Sequence, residues 1–104
     1  MGGSVEPMYY VKLHFHGKDT VLAICDPDLL GKRFEEGDLI LEVSEEFYGG
    51  RLASLDEVLD LIKKSSIVNI VGEKILKELS KRGLMVEESV IYIGGIPHLQ
   101  IISL

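Results

Sequence analysis

The 104-residue sequence has no tryptophan, one cysteine and few cations, and each scarcity excludes a class of protein. Because Cys25 is the single cysteine, an intramolecular disulfide and a four-cysteine zinc site are impossible. No apolar run approaches the roughly 20 residues that span a bilayer, and no basic-then-apolar signal opens the chain. Lysine and arginine number 11 against 17 acidic residues, for a net charge of −6. This balance argues against binding nucleic acid or an anionic membrane by bulk charge.

The residues that are present are typical of one small soluble domain. Apolar residues make up 46% and charged residues 27%, enough to form a core. We expect a flexible leader over residues 1–7 and a single compact domain over residues 8–104. One asparagine and one glutamine beside abundant glutamate and lysine are typical of thermophile proteins. Residues 19–46 hold nine acids and two bases, whereas residues 63–82 hold six bases and two acids, so the charge is strongly uneven.

Apolar periodicity predicts strands in the first half of the chain. Side chains alternate over residues 9–16, and a second apolar run at 20–24 follows a turn, which together indicate a hairpin. Asp26 and Pro27 predict one short helical turn that Asp26 caps. We predict a third strand over residues 38–43 and a loop over residues 47–50.

Two helices and two closing strands are predicted in the second half. Ser54 and Glu57 form a capping box before an amphipathic segment. A longer helix is predicted over residues 66–82, with Gly72 in its interior where another backbone approaches closely. Strands over 89–93 and 98–102 close the chain. The predicted fold is α+β, a small mixed or antiparallel sheet of four to five strands with the two helices packed on one face.

Several residues suggest chemistry, but each has a structural alternative. His14 and His16 share a strand face and could hold a metal, although two imidazoles alone rarely do, and a solvated face is the simpler interpretation. Cys25 could be a nucleophile or a small buried hydrophobe. Asn69 could brace a helix start, and His98 could make a structural hydrogen bond. We predict no catalytic residues, no metal site and no cofactor.

The remaining candidates are a stripe of lysines along the helix predicted over residues 66–82 and two pairs of glycines. The stripe suits docking to a partner, although helical ion pairs would also explain it as a soluble face. The glycine pairs at residues 49–50 and 94–95 lack the spacing of phosphate-binding loops and indicate turns. The members of the stripe are Lys74, Lys77 and Lys81.

Seven short motifs follow one another in a specific order. They are Cys25-Asp26, Leu30-Gly31-Lys32, Phe34-Glu35-Glu36-Gly37, Phe47-Tyr48-Gly49-Gly50, Asn69-Ile70-Val71-Gly72-Glu73, Gly83-Leu84 and Gly94-Gly95-Ile96-Pro97-His98-Leu99-Gln100. In this order the chain resembles the archaeal family called domain of unknown function 424. The resemblance implies a compact α+β domain, an archaeal source, a cytoplasmic location and an association with translation or RNA-handling machinery. It implies no reaction.

We predict a non-enzymatic binding module whose partner is a protein or ribonucleoprotein, with no sequence-specific DNA binding and no membrane. The alternative is a ligand-binding protein or enzyme with a pocket around Tyr48, Asn69 and His98. A third hypothesis is an oligomerising domain that uses an exposed strand edge such as residues 98–104.

We expect three segments to converge on one surface: the loop over residues 47–50, the predicted helix start at Asn69, and residues 97–100. Its candidate residues are Phe47, Tyr48, Gly49, Gly50, Asn69, Glu73, Pro97, His98 and Gln100.

Overall fold

Alternating apolar side chains at the start of the chain form the hairpin from which the main sheet grows. The computed structural model describes residues 6–84 and 89–102. Strand β1 (Met8–His16) pairs antiparallel with β2 (Asp19–Cys25), as the alternation predicts. The leader assigned to residues 1–7 stays a prediction, because residues 1–5 lie outside the described part.

The remaining elements are further strands and short helices. They are a 3-10 turn (Pro27–Leu29), β3 (Arg33–Glu36), β4 (Leu39–Glu42), α1 (Glu45–Tyr48), β5 (Arg51–Ser54), α2 (Leu55–Lys64), β6 (Ile67–Val71), α3 (Glu73–Lys81), β7 (Ile91–Ile93) and β8 (Ile96–Ile102).

The described strands form a mixed six-stranded sheet and a separate two-stranded hairpin. The six-stranded order is β5-β1-β2-β6-β8-β7, with β2 parallel to β6 and the other neighbours antiparallel. The hairpin is β3–β4. The α+β class is therefore confirmed, whereas the predicted four to five strands and two helices are fewer than the structure contains.

Each face of the six-stranded sheet packs against a different layer. The face that carries Leu22 and Ile70 packs against α2 and α3, as predicted for the two helices, and we call it the helix-side face. The opposite face carries Ala23, Cys25 and Val71, which pack against the β3–β4 hairpin and α1. We call it the hairpin-side face.

The predicted helix over residues 66–82 is wrong in its first part. Residues Ile67–Val71 form the central strand β6, and the helix α3 begins only at Glu73. Because β6 packs against other layers on both faces, its apolar residues lack the alternation that would reveal a strand. Four of its five residues are β-branched, which favours the strand.

Other differences concern short elements. β3 and β5 were not predicted, and the segment predicted as a loop from Phe47 includes the end of α1. Ser44 caps α1, since its hydroxyl accepts the backbone N–H of Phe47 at 3.1 Å. Such elements of four residues carry too little periodicity for a sequence pattern to reveal them.

The capping signals of the two longer helices are confirmed. Ser54 and Glu57 form a reciprocal capping box at α2. At the end of α3, Gly83 has a φ of 66° and its N–H donates to Ser80, while the N–H of Leu84 donates to Leu79. These two bonds satisfy the last carbonyls of the helix.

Asp26 caps a different helix from the one predicted. The 3-10 turn forms, but the Asp26 carboxylate makes no hydrogen bond to it. Instead, its two oxygens accept the backbone N–H groups of Lys74 and Ile75 at the start of α3, each at 2.9 Å. Asp26 is only 3% exposed. The sequence could not reveal this contact because its partners lie 48 and 49 residues further along the chain.

Gly72 precedes α3 with a φ of 126°, a conformation that disfavours other residues. A Cβ atom there would overlap the Asp26 carboxylate. Position 72 therefore requires glycine for two reasons: the Asp26 carboxylate leaves no room for a Cβ atom, and the backbone φ is positive. Packing of a helix against another backbone, which the sequence suggested, is not the reason.

We predict that Gly72→Ala lowers the free energy of unfolding by about 3 kcal/mol, because backbone strain and the overlap with Asp26 add together. Gly31→Ala is the matched control, since Gly31 has a φ of 85° and open space around it. The control should cost about 1 kcal/mol. Chemical denaturation of both variants measures the difference, and equal losses would contradict the account of Gly72.

Candidate functional site

Three polar side chains lie together on the hairpin-side face. In the β6–β8 pairing, Asn69 lies opposite Gln100, and Val71 lies opposite His98. Because side chains alternate along a strand, Asn69, His98 and Gln100 project from the same face as Val71. We call these three residues the amide–imidazole patch. The predicted convergence of Asn69 with the 97–100 segment thus has a structural basis, although Asn69 lies in a strand and not at a helix start.

The side chains of the patch have no partner within the described part of the chain. Asn69 and His98 are half-buried and Gln100 is exposed. Every buried polar side-chain atom of the described residues has a hydrogen-bond partner, so the unpaired groups of the patch reach solvent. The bracing roles considered for Asn69 and His98 are therefore not seen.

Burial lowers the pKa of His98 below its ordinary value. The imidazole is therefore neutral at neutral pH, with one nitrogen that donates and one that accepts a hydrogen bond. The two amides of the patch likewise donate and accept.

Helix α1 covers the sheet beside the patch. Tyr48 is 4% exposed and packs with Ala23, Cys25 and Val71 on the hairpin-side face. Burial, with a smaller effect of Cys25, raises the pKa of Tyr48 to about 12. Ala23 and Val71 are neighbours of Asn69 and His98 in the strand register. Tyr48 therefore belongs to the same face as the patch, as a neutral packing group.

Two residues of β1 hold α1 in place. The Nε2 atom of His14 lies 2.8 Å from the carbonyl oxygen of Phe47, and the two rings stack with centroids 4.6 Å apart. Lys12 donates from Nζ to the carbonyl oxygen of Glu46 at 2.6 Å. Both contacts satisfy carbonyls at the end of a helix. His14 is therefore an anchor for α1, which corrects the expected solvated role, and the sequence held no signal for either contact.

Four of the predicted site residues have structural roles or lie outside the patch. Gly49 ends α1 through its N–H, which donates to Glu45 at 2.8 Å, and Gly50 lies so close to β1 that no side chain would fit. Glu73 and Pro97 line a cleft of about 420 Å³ on the helix-side face. The predicted surface is therefore divided between the two faces of the sheet. The remaining lining residues of this cleft are Leu76, Lys77, Ser80, Lys81, Val90 and Tyr92.

The lysine stripe is partly neutralised by neighbouring acids. Lys74 lies 3.9 Å from Asp28, and Lys81 lies 3.4 Å from Glu78. Lys77 borders the helix-side cleft. All three lysines lie on the surface of α3, so the stripe is accessible. Its positive charge is smaller than the sequence implied, because two of the lysines lie close to acidic side chains.

The described residues support neither a nucleophilic cysteine nor a metal site. Cys25 is fully buried, and burial together with the charges of Asp26 and Asp28 raises its pKa to about 12. Its thiol therefore stays protonated and inert, which agrees with the interpretation as a buried hydrophobe. Over residues 6–84 and 89–102, no three histidine, cysteine or carboxylate side chains gather as metal ligands do.

Comparisons with known proteins agree with the motif order. Residues 14–104 match the family described as "Protein of unknown function (DUF424)". A crystal structure of an uncharacterized conserved protein from Methanopyrus kandleri has a similar fold, with a TM-score of 0.74 and 27% sequence identity. That match covers 93% of this chain and 94% of the other. No curated protein matches the sequence. In the described segments, no helix is long and apolar enough to cross a membrane.

We predict that His98 makes fold stability depend on pH. An unfolded histidine has a pKa of about 6.5, and the pKa of the folded His98 is lower, so the folded state binds fewer protons. Stability present above about pH 6.5 should therefore be lost as the pH falls through the folded pKa. Denaturation between about pH 5 and pH 7.5 measures this slope, which His98→Gln should reduce. The control His16→Gln, at the exposed end of β1, should keep the wild-type slope, and an unchanged slope in His98→Gln would contradict the prediction.

Proposed function

This chain belongs to the DUF424 family, and from that premise we propose that it is a non-enzymatic module that binds a protein partner through the amide–imidazole patch. The observation that carries the proposal is the position of Asn69, His98 and Gln100. They lie on two adjacent strands, project from one face and have no hydrogen-bond partner among the described residues. Polar side chains of this kind, held on rigid strands, are suited to a specific interface.

Binding is favoured over catalysis by the protonation states around the patch. The two acidic groups next to it, the Tyr48 hydroxyl and the Cys25 thiol, both have a pKa raised to about 12. Neither supplies a nucleophile at neutral pH, so the neutral His98 imidazole, although it could accept a proton, has no ionisable nucleophile beside it to activate. Four clefts of about 240–420 Å³ lie at the surface of the described residues, and Tyr48, Asn69 and His98 line none of these four. The alternative of an enzyme pocket around these three residues therefore has little geometric support.

A protein fits the patch better than a nucleic acid does. Amides and a neutral imidazole donate and accept hydrogen bonds, which matches the peptide groups and polar side chains of a protein. Phosphates require cations, and the chain has a net charge of −6. The acidic β3–β4 hairpin also lies against the same face. If the partner belongs to translation or RNA-handling machinery, the contact is with a protein component.

The test compares cross-linked proteins captured by the wild type and by a patch variant, Asn69→Ala with Gln100→Ala. Extract from an archaeon that encodes the protein is the source, and mass spectrometry identifies the cross-linked residues. A matched control, Lys77→Ala with Ser80→Ala, changes the helix-side cleft. We expect one protein set to cross-link beside the patch, to be lost from the patch variant and to be retained by the control. His98→Ala should weaken capture while costing less than about 1 kcal/mol of stability.

Two results would contradict the proposal. One is capture that survives in the patch variant but is lost in the control, which would move the site to the helix side. The other is submicromolar affinity for arbitrary RNA in a gel shift at about 0.15 M salt, where an acidic protein should bind weakly.

A further inference from the structure

The helix layer leaves one edge of the six-stranded sheet largely uncovered. Helix α3 packs mainly over β6 and β8, which is the width that one helix of about 10 Å covers when strands lie about 4.8 Å apart. β7 lies beyond β8 and is the outermost described strand at this edge, in place of the 98–104 segment that the sequence suggested. The step between the side of α3 and this strand forms the helix-side cleft of about 420 Å³.

The floor and one wall of the cleft are apolar. Pro97 alternates with His98 along β8 and therefore projects from the helix-side face, and Tyr92 lies opposite Pro97 in the β7–β8 pairing. Pro97 and Leu76 are buried, whereas Tyr92 is 57% exposed beside them. An aromatic ring that stands half-exposed at a cavity offers a stacking surface to a flat ligand.

The opposite wall is one side of α3, and it carries positive charge. Lys77 and Lys81 both line the cleft one helical turn apart, so their ammonium groups can reach the same anion. No described carboxylate forms an ion pair with Lys77. Lys81 lies 3.4 Å from Glu78, but Glu78 also contacts Arg82 at 3.0 Å and therefore stays paired when Lys81 turns to a ligand. The wall is complementary to one anionic group.

We propose that the helix-side cleft binds a small molecule that joins a flat apolar ring to one anionic group, a carboxylate or a phosphate. The ring packs against Tyr92 and Pro97, and the anionic group contacts Lys77 and Lys81. Glu73 lines the same cleft about two helical turns before Lys81. Its carboxylate disfavours a second anionic group there and accepts hydrogen bonds from hydroxyl or N–H groups of the ligand.

The size of the cleft favours a free small molecule over a macromolecule. Its volume of about 420 Å³ lies within the range of roughly 300–1,000 Å³ that is usual for ligand sites. A stable protein interface needs about 800 Å² from each partner. Two lysines in a chain of net charge −6 give little affinity for nucleic acid. The cleft is also independent of the proposed function, because the amide–imidazole patch lies on the opposite face of the sheet.

Titration of the isotope-labelled full chain, followed by backbone amide NMR shifts, tests the proposal. Phenyl phosphate and phenylacetate carry both parts of the ligand, whereas inorganic phosphate and benzyl alcohol each carry one part. We expect saturable shifts at Lys77, Ser80 and Tyr92, with a dissociation constant of about 1 mM for at least one two-part compound and about tenfold weaker binding of the one-part compounds. Tighter binding of phenyl phosphate assigns a phosphate ligand, and tighter binding of phenylacetate assigns a carboxylate. Shifts that do not saturate, or that lie away from the cleft, would overturn the proposal.

Matched variants test the two walls separately. Lys77→Met with Lys81→Met should raise the dissociation constant about tenfold, because both cations are lost. Lys63→Met with Lys64→Met removes the same charge from the last turn of α2 and should leave the dissociation constant unchanged. Tyr92→Val should weaken binding about threefold or more, whereas Tyr92→Phe should retain it, because the ring and not the hydroxyl packs against the ligand. Equal effects of the two lysine pairs, or wild-type binding by Tyr92→Val, would overturn the proposal.

Discussion

One buried carboxylate joins the central strands to helix α3. Asp26 follows directly after β2, donates its backbone N–H to Val71 at the end of β6, and accepts two N–H groups from the first turn of α3. Burial raises its pKa, and the two N–H donors oppose that shift. A buried carboxylate is costly unless it is hydrogen-bonded, so its position is specified together with that of α3. The glycine at position 72 is a consequence, since only glycine leaves room for it.

The amide–imidazole patch depends on the same junction. The N–H of Gly72 donates to the carbonyl oxygen of Pro97 at 3.0 Å, which holds β8 beside β6 at the point where α3 begins. The register that follows sets Val71 opposite His98 and Asn69 opposite Gln100. The helix junction on one face of the sheet therefore supports the arrangement of polar side chains on the other.

Local signals predicted most of the fold, and distant contacts explain what they missed. The β1–β2 hairpin, the α2 capping box and the closing strands follow from residues that are neighbours in sequence. β6 was misassigned because a strand buried on both faces carries no alternation, and its apolar spacing happens to continue into α3. The partnership of Asp26 with α3 was invisible for a different reason, since a cap found 48 residues away leaves no local pattern. Asn69 and His98 were chosen for their chemistry. Glu73 and Pro97 were placed on the wrong face, because Glu73 begins helix α3 and Pro97 alternates with His98 along β8.

The most direct test of this account is amide hydrogen exchange combined with equilibrium unfolding of Asp26→Ala. We predict a loss of at least about 2 kcal/mol and a selective loss of protection at the N–H groups of Lys74 and Ile75. Asp28→Ala, which removes an exposed carboxylate 3.9 Å from Lys74, should change neither. Unchanged protection of Lys74 and Ile75 in Asp26→Ala would contradict the central role of this carboxylate.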